Sequence, residues 1–467
     1  MSAKAKHYHF IGICGTAMGA VAAAMKERGF RVSGSDSSVY PPISTFLEER
    51  GIRIFKGYRA ANIPEKVDVI VVGNAISRGN EELEEVLNRK LPYVSLPEVL
   101  KTHFLSRKRN LVVTGTHGKT TTTSLLTWIL HKSGKEPGYL IGGIPRNFQA
   151  GAKFTDSEFV VLEGDEYDTA FFDKRSKFLH YLPEVVIINN IEFDHADIFR
   201  DLDEIKLTFR RLLRVVPRNG VVFVNGDDRN CLEVITDCPA PVVKVGFNPE
   251  NDRRLTDMDL QADHAEFTLN AQRYSVPLNG EYNVRNAAMA VIASEFIGLE
   301  PRKIADALKH FKGVARRQEL KGEANSIRVV DDFGHHPTAI KQTIDALKRR
   351  YATGRMCAVF EPRSNTTRRN VFQKDLPLAL GAAEMVVMAP VADPHKVPEP
   401  DRLNVQQVLD DLARMGRQAH QEPDVEAIVA RVVGMVEPGD TIVVFSNGGF
   451  GGIHQKLLTA LQHKSEG

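Results

Sequence analysis

The stretch Leu111–Ser124, LVVTGTHGKTTTTS, runs from an apolar strand through Gly115 and Gly118 to Lys119 and then to four threonines. Two glycines let a backbone turn tightly enough for successive N–H groups, and the N-terminus of the helix that follows, to converge on an anion. Lys119 adds a mobile positive charge, and Thr120 puts a hydroxyl where a P-loop places a Mg²⁺ ligand. Val113 stands where the first glycine of G-x-x-x-x-G-K-[ST] would be, so the shorter G-T-x-G-K-T form remains. A glycine turn capping a Thr-rich helix is the plainer alternative; the order of strand, turn, lysine and hydroxyl favours phosphate binding. Thr116 and His117 sit inside the turn and Thr121 follows it, so all three are candidate nucleotide contacts. Thr122 and Thr123 read as helix filler.

A bound triphosphate needs metal ligands, and two acidic turns follow. FVVLEGDEYD places Glu163, Asp165, Glu166 and Asp168 beyond an apolar strand, and EVVIINNIEFDHAD places Asn189, Asn190, Glu192, Asp194 and His195 beyond another. Hard oxygen ligands at strand ends suit Mg²⁺. One such turn alone would read as a solvated loop; two after a P-loop favour a metal site. The adjacent His335 and His336 could suggest a metal pair, but Pro337 marks a helix start, and substrate-side or capping contacts are the better reading. Trp128 reads as core packing. NGGFGG, Asn447–Gly452, could bind an anion or serve close packing, and the sequence leaves both open.

These residues need a scaffold, and 467 residues with 42% hydrophobic and 26% charged content allow two or three domains. The 61 basic and 59 acidic side chains nearly cancel, so nothing argues for nucleic acid. The cysteines Cys14, Cys231, Cys238 and Cys357 form no C-x-x-C pair, which fits neither a disulfide framework nor a zinc site and points to a reducing cytoplasm. No run of about 18 apolar residues occurs, so a soluble protein without membrane insertion is expected. Short apolar runs alternate with amphipathic helix-length segments, the pattern of α/β domains with parallel sheets. The rhythm restarts after SRKRN and after KGEAN, giving three domains at 1–106, 107–321 and 322–467.

Together TGTHGKTTT, EGDEYD, NNIEFDHAD, GEYNVRNAAMA and VDDFGHHPTAI resemble the Mur ligase family of peptidoglycan synthesis, across essentially the whole chain. The resemblance implies an N-terminal Rossmann-like UDP-binding domain, a central P-loop ATPase-like domain and a C-terminal Rossmann-like domain that presents the amine. It also implies a reaction in which a muramyl carboxylate takes the γ-phosphate of ATP and the acyl phosphate is converted to an amide. The absence of a G-x-S-x-G elbow agrees with a route that needs no covalent enzyme intermediate. By the same resemblance Lys119 binds the β- and γ-phosphates, Thr120 and Glu163 hold one Mg²⁺, and His195 helps hold a second. Asn286 matches the adenine-contacting asparagine, with Asn283 its neighbour; Arg317 reaches the phosphates and Asp332 closes onto the nucleotide. A bridging lysine found in some members falls later than Lys206, which reads as a solvated helix-face residue.

HFIGICGTAMGAVA is similar to the glycine turn of the members that act on UDP-N-acetylmuramate. Gly12, Cys14, Gly15, Thr16, Ala17 and Met18 would form it, with Ser35, Asp36 and Asn74 near the uridine or sugar; Met18 also reads as packing. The same turn is a degenerate dinucleotide fingerprint, making a dehydrogenase the rival enzyme class, but its spacing departs from G-x-G-x-x-G and hydride transfer has no use for a P-loop. In the third domain FEPRSNT replaces the tyrosine–arginine pattern of the L-alanine-adding branch, and Phe333 stands where that branch has tyrosine. With FSNGGFGGIHQKL, this resembles the branch that uses the tripeptide L-Ala-γ-D-Glu-meso-diaminopimelate in peptidoglycan recycling. Arg363, Arg368, Arg369 and His335 are then the expected peptide contacts, because bidentate arginine suits extra carboxylates; surface ion pairing is the plainer alternative. An L-alanine ligase and a nucleotide-dependent binding module are the remaining alternatives.

Overall fold

The computed structural model describes residues 5–41 and 43–464. Three large sheets and one two-stranded hairpin sheet divide the described residues, and the central strands of the large sheets are buried apolar runs that need cover on both faces. The first has five parallel strands in the order Arg53–Lys56, Arg31–Asp36, His7–Ile11, Val69–Val72, Tyr93–Ser95. In the second, ten-stranded sheet, Arg109–Thr114 lies between Pro183–Ile188 and Phe159–Glu163, parallel to both. Antiparallel strands Arg253–Leu260, Ala265–Leu269 and Gln272–Val276 close one edge. The third sheet runs Glu319–Ala324, Ile327–Asp332, Thr441–Phe445, Met356–Phe360, Met385–Met388, Gln418–Gln421, with only the first strand antiparallel.

The central order explains why two acidic turns flank one phosphate loop. All three segments leave the carboxyl ends of adjacent parallel strands, where open α/β sheets bind ligands. The 106/107 boundary falls between the helical turn Lys101–Leu105 and strand Arg109–Thr114, whereas 321/322 falls inside strand Glu319–Ala324. The outer ends of the first and third domains, 1–4 and 465–467, lie outside the described residues. The first two domains share one core, in which Val99, Leu100 and Phe104 pack with Val112, Val160 and Phe178. Phe104 and Phe154 bring their ring centroids to 4.4 Å, and burying one such ring contributes about 1.5–3 kcal/mol.

All four cysteines are free, with Cys231 and Cys357 buried. Trp128 packs against the central core and donates Nε1–H to Ala307 O at 2.8 Å. Lys206 is not solvated: it is 7% exposed and pairs with Glu233 at 2.7 Å. The Asn447–Gly452 turn ends with Gly451 and Gly452 in the left-handed region and leads into helix Ile453–His463. Among the described residues no helix is long and apolar enough to cross a membrane.

Candidate functional site

The phosphate loop is held open by contacts that only glycine tolerates. Gly118 has φ +78°, and a Cβ there would collide with Asn286 Oδ1; Gly115 has φ +127°, and its Cβ would stand 3.0 Å from the Asn190 backbone. Both conformation and space therefore demand glycine. Asn190 Oδ1 accepts from His117 N at 2.7 Å, and Thr116 Oγ1 accepts from Glu192 N at 2.8 Å, so the NNIEFDHAD turn fixes one side of the loop. Helix Lys119–Lys132 has no side-chain N-cap, which leaves its first-turn N–H groups for an anion.

Two charge centres sit beside the loop. Lys119 Nζ donates to Gly115 O at 2.7 Å and to Glu166 Oε2 at 2.9 Å, and Glu166 Oε1 meets His195 Nε2 at 2.9 Å. Glu163 accepts from Thr120 Oγ1 at 2.9 Å and Gly142 N at 2.7 Å, while Arg317 Nη2 reaches Thr120 Oγ1 at 3.3 Å. Thus Thr120 and Glu163 come together, but His195 sits with Glu166, which the motif matches did not single out. Its signal was present as one of four carboxylates in EGDEYD; the other two are paired with lysines, Asp165 with Lys177 and Asp168 with Lys174, both at 2.6 Å.

Electrostatics separates the two glutamates. Burial pushes the Glu163 carboxyl above its usual range, outweighing Gly142, Lys119, Thr120 and Arg317. Burial acts the same way on Glu166, but Lys119 and His195 overcome it and hold that carboxylate ionised. Burial opposes the charges of Lys119 and His195 too, yet Glu166 keeps both raised.

The third domain latches onto the same turn. Asp194 accepts from Thr366 Oγ1 at 2.7 Å and meets His335 Nε2 at 3.3 Å; burial opposes its charge, but His335, with His195 and His336 nearby, holds its carboxyl well below the usual range. Asn365 donates to Asp197 at 2.7 Å. Asp332 accepts from Gln318 N and Gly334 N, and burial raises its carboxyl although Arg317 opposes this. His336 caps helix Pro337–Arg350 by accepting from Thr338 N.

A cavity of ≈ 790 Å³ joins the three domains. Its lining brings together Gly15, Thr16, Ala17, Met18 and Asn74 of the first domain, Gly118, Lys119, Thr120, Thr121, Glu163, His195 and Arg317 of the second, and Asp332 and His335 of the third. Thr116, His117, Asn283 and Asn286 also line it, and a second cavity of ≈ 270 Å³ beside Gly118 is bounded by Asn189, Asp227 and Asn286. The rest of the N-terminal candidates stand behind this wall. Gly12 turns at φ +88°, Asp36 accepts from Cys14 N at 2.9 Å, and the buried Ser35 hydroxyl donates to buried Glu82, so Ser35 and Asp36 brace the turn rather than face the cavity.

The three arginines do not line the large cavity and differ among themselves. Arg368 is buried and bonded to Asp393 and Asn365, which makes it a structural strut instead of a peptide contact. Arg369 Nε is buried without a partner. Arg363 is 44% exposed and touches Glu361 at 3.3 Å.

With this geometry in view, three family domains match in order: the Mur ligase family catalytic domain over residues 7–108, the Mur ligase middle domain over 113–294 and the Mur ligase glutamate ligase domain over 316–448. The UDP-N-acetylmuramate--L-alanyl-gamma-D-glutamyl-meso-2,6-diaminoheptandioate ligase of Escherichia coli (strain K12) is 43% identical over 98% of this chain and 99% of its own. The UDP-N-acetylmuramate--L-alanine ligase of Syntrophomonas wolfei is 30% identical over 98% of this chain and 97% of its own. The crystal structure of a murein peptide ligase from Psychrobacter arcticus 273-4 superimposes with a TM-score of 0.73 at 35% identity, covering 98% and 99% of the two chains. Matched by family domains along its length and by relatives over nearly all of it, the chain belongs to the Mur ligase family.

Proposed function

We propose that this protein is an ATP-dependent ligase that joins the lactyl carboxylate of UDP-N-acetylmuramate to L-Ala-γ-D-Glu-meso-diaminopimelate, a cytoplasmic step of peptidoglycan recycling. The observation that carries this reading is one cavity whose wall includes both the N-terminal glycine turn and Lys119 and Thr120. A sugar carboxylate held at one end can there meet a γ-phosphate held at the other. The acceptor is supported by the higher identity to the tripeptide ligase than to the alanine ligase, 43% against 30%.

The carboxylate oxygen takes the γ-phosphoryl group, ADP leaves, and the peptide amine then displaces phosphate from the acyl carbon while losing a proton. The protein's share is alignment and charge. The loop N–H groups and Lys119 hold the phosphates, Arg317 approaches from the far side of Thr120, and Asn283 and Asn286 border the adenine end. Mg²⁺ neutralises phosphate charge when bound. The residues present fit it: Glu163 is a half-buried carboxylate with only a hydroxyl and an N–H directly on it, beside the Thr120 oxygen. Thr120 and Glu163 would hold that ion, and His195 would hold a second on leaving Glu166. The domains at 1–106, 107–321 and 322–467 then carry sugar, ATP and peptide respectively.

The test supplies UDP-N-acetylmuramate, ATP and Mg²⁺ with either tripeptide or L-alanine, and measures amide and phosphate together. Tripeptide should be coupled with stoichiometric phosphate release, by a wide margin over alanine. Preference for alanine would overturn the acceptor and leave the ligase; nucleotide binding without amide would indicate a binding module.

A further inference from the structure

His117 from the phosphate loop, Glu192 from a second turn beside it and His336 from the third domain each bring one ligand atom to within 4.8 Å of the other two. The edges to the carboxylate are 3.2 Å from His117 Nε2 and 3.4 Å from His336 Nδ1. Ligands about 2.0–2.1 Å from a tetrahedral zinc ion stand roughly 3.3 Å apart.

The hydrogen-bond pattern around His336 points the same way. Its Nε2 is 3.2 Å from Phe193 O, which can only accept, so Nε2 carries the hydrogen. Nδ1 accepts from Thr338 N at 3.2 Å and therefore bears the lone pair. Nδ1 also stands 3.4 Å from Glu192 Oε2, likewise an acceptor, so no hydrogen bond joins these two atoms. A cation is the species that could bridge them. The outer partners are those of a built metal site: a ring N–H donated to a carbonyl fixes the tautomer, and Thr338 Oγ1 orients the carboxylate at 2.7 Å.

We propose that His117, Glu192 and His336 form a binding site for a zinc-class transition-metal ion, distinct from the Mg²⁺ site at Thr120 and Glu163, that ties the third domain to the phosphate loop. Two imidazoles and one carboxylate select a borderline-soft ion over Mg²⁺, which prefers oxygen. On binding, the His117 Nε2 hydrogen moves to Nδ1 or leaves, and the ion takes the place of the Thr338 N–H at His336 Nδ1.

The test loads chelator-stripped full-length protein with Zn²⁺ alone and counts the metal retained after dialysis. One zinc per chain is expected, retained in Glu163→Gln and His195→Ala. Thr338→Val should weaken zinc binding roughly 10-fold, and His336→Ala by more than the roughly 100-fold upper range for an outer partner. Co²⁺-loaded wild type should show the intense visible bands of a four-coordinate site. That spectrum, together with Glu192→Gln, decides the matter if His336→Ala does not fold. Failure of the wild type to retain zinc, undiminished zinc in His336→Ala or Glu192→Gln, loss of zinc in His195→Ala, or only weak six-coordinate cobalt bands would overturn the proposal.

Discussion

Lys119 Nζ lies 2.9 Å from Glu166 Oε2, so the lysine that opens the helix after the glycine loop is already held by a buried carboxylate. That carboxylate also binds His195, and one side chain thereby sets the position of two cations. A phosphate entering the loop must share Lys119 with Glu166.

Glu166→Ala should therefore do more than remove an acid. Breaking a buried ion pair from one side costs about 3–5 kcal/mol, so the urea midpoint should fall with an unchanged slope. Glu166→Gln keeps the shape and should cost less stability while still lowering kcat. Wild-type turnover in Glu166→Gln would show that its charge plays no part.

In the proposed mechanism Lys119→Ala removes the charge that would stabilise the transferring phosphoryl group, and ligation should fall roughly 10²- to 10³-fold, the scale of losing one positioned transition-state donor. The glycine turn and helix start at Gly15–Met18 follow a strand of another sheet, so UDP-N-acetylmuramate binding by calorimetry should be retained. Normal ligation in the variant would refute the assignment of Lys119.

The P-loop, the acidic turns and the three-part α/β plan were legible in the sequence because each is local: an apolar run, a glycine turn, a charged tip. Pairings across the fold were not. Nothing in EGDEYD says that Glu166 rather than Glu163 meets Lys119, since that depends on how the turn leaves its strand. The partner of His336 could not be read from its neighbour His335; it is His117, on another domain. Arg368 and Lys206 looked like exposed cations and are buried, because Asp393 and Glu233 supply partners that sequence spacing cannot reveal.

Glu163→Gln and His195→Ala should each lower phosphoryl transfer, by roughly 100-fold. Raised Mg²⁺ or Mn²⁺ should partly rescue the histidine variant, whose main ligand set survives, and not the glutamine variant. Phosphate and amide release measured across a metal titration checks this; two fully active variants would make both turns mere loops.

The hairpin Asp168–Ala170/Asp173–Ser176 sets Phe171 and Phe172 against Tyr93 of the first domain. Arg175 grips Asp173 through Nε and Nη2 and holds its carboxyl down at about 2. A lowered carboxylate contributes stability above its unfolded value near 3.8 and loses it as pH falls toward about 2. Asp173→Asn should be less stable than wild type at pH 7, and the gap should narrow below about pH 4. Urea unfolding of both proteins across that window checks the sign; a gap that widens toward acid would contradict it.

The last prediction separates the arginines of FEPRSNTTRR. Arg368 is 8% exposed and paired with Asp393 at 3.0 Å, whereas Arg363 is 44% exposed and holds Glu361 at 3.3 Å. A buried guanidinium held at both terminal nitrogens, by Asn365 and Asp393, has little freedom to turn toward a ligand even though its Nε lacks a partner, and a half-exposed one with a single long bond has more. Arg368→Ala should thus act on the fold: Asp393 keeps solvent contact, so the cost is about 2 kcal/mol, below that of a fully buried pair. Its tripeptide KM should move little in the fraction that folds. Arg363→Ala should leave the unfolding midpoint nearly unchanged and lower tripeptide kcat/KM by roughly 30-fold or more, the loss of a charge-assisted contact to a peptide carboxylate. ATP and UDP-sugar affinities should be untouched. A wild-type kcat/KM in Arg363→Ala would move the peptide anchor elsewhere, and a KM effect confined to Arg368→Ala would reverse the two roles.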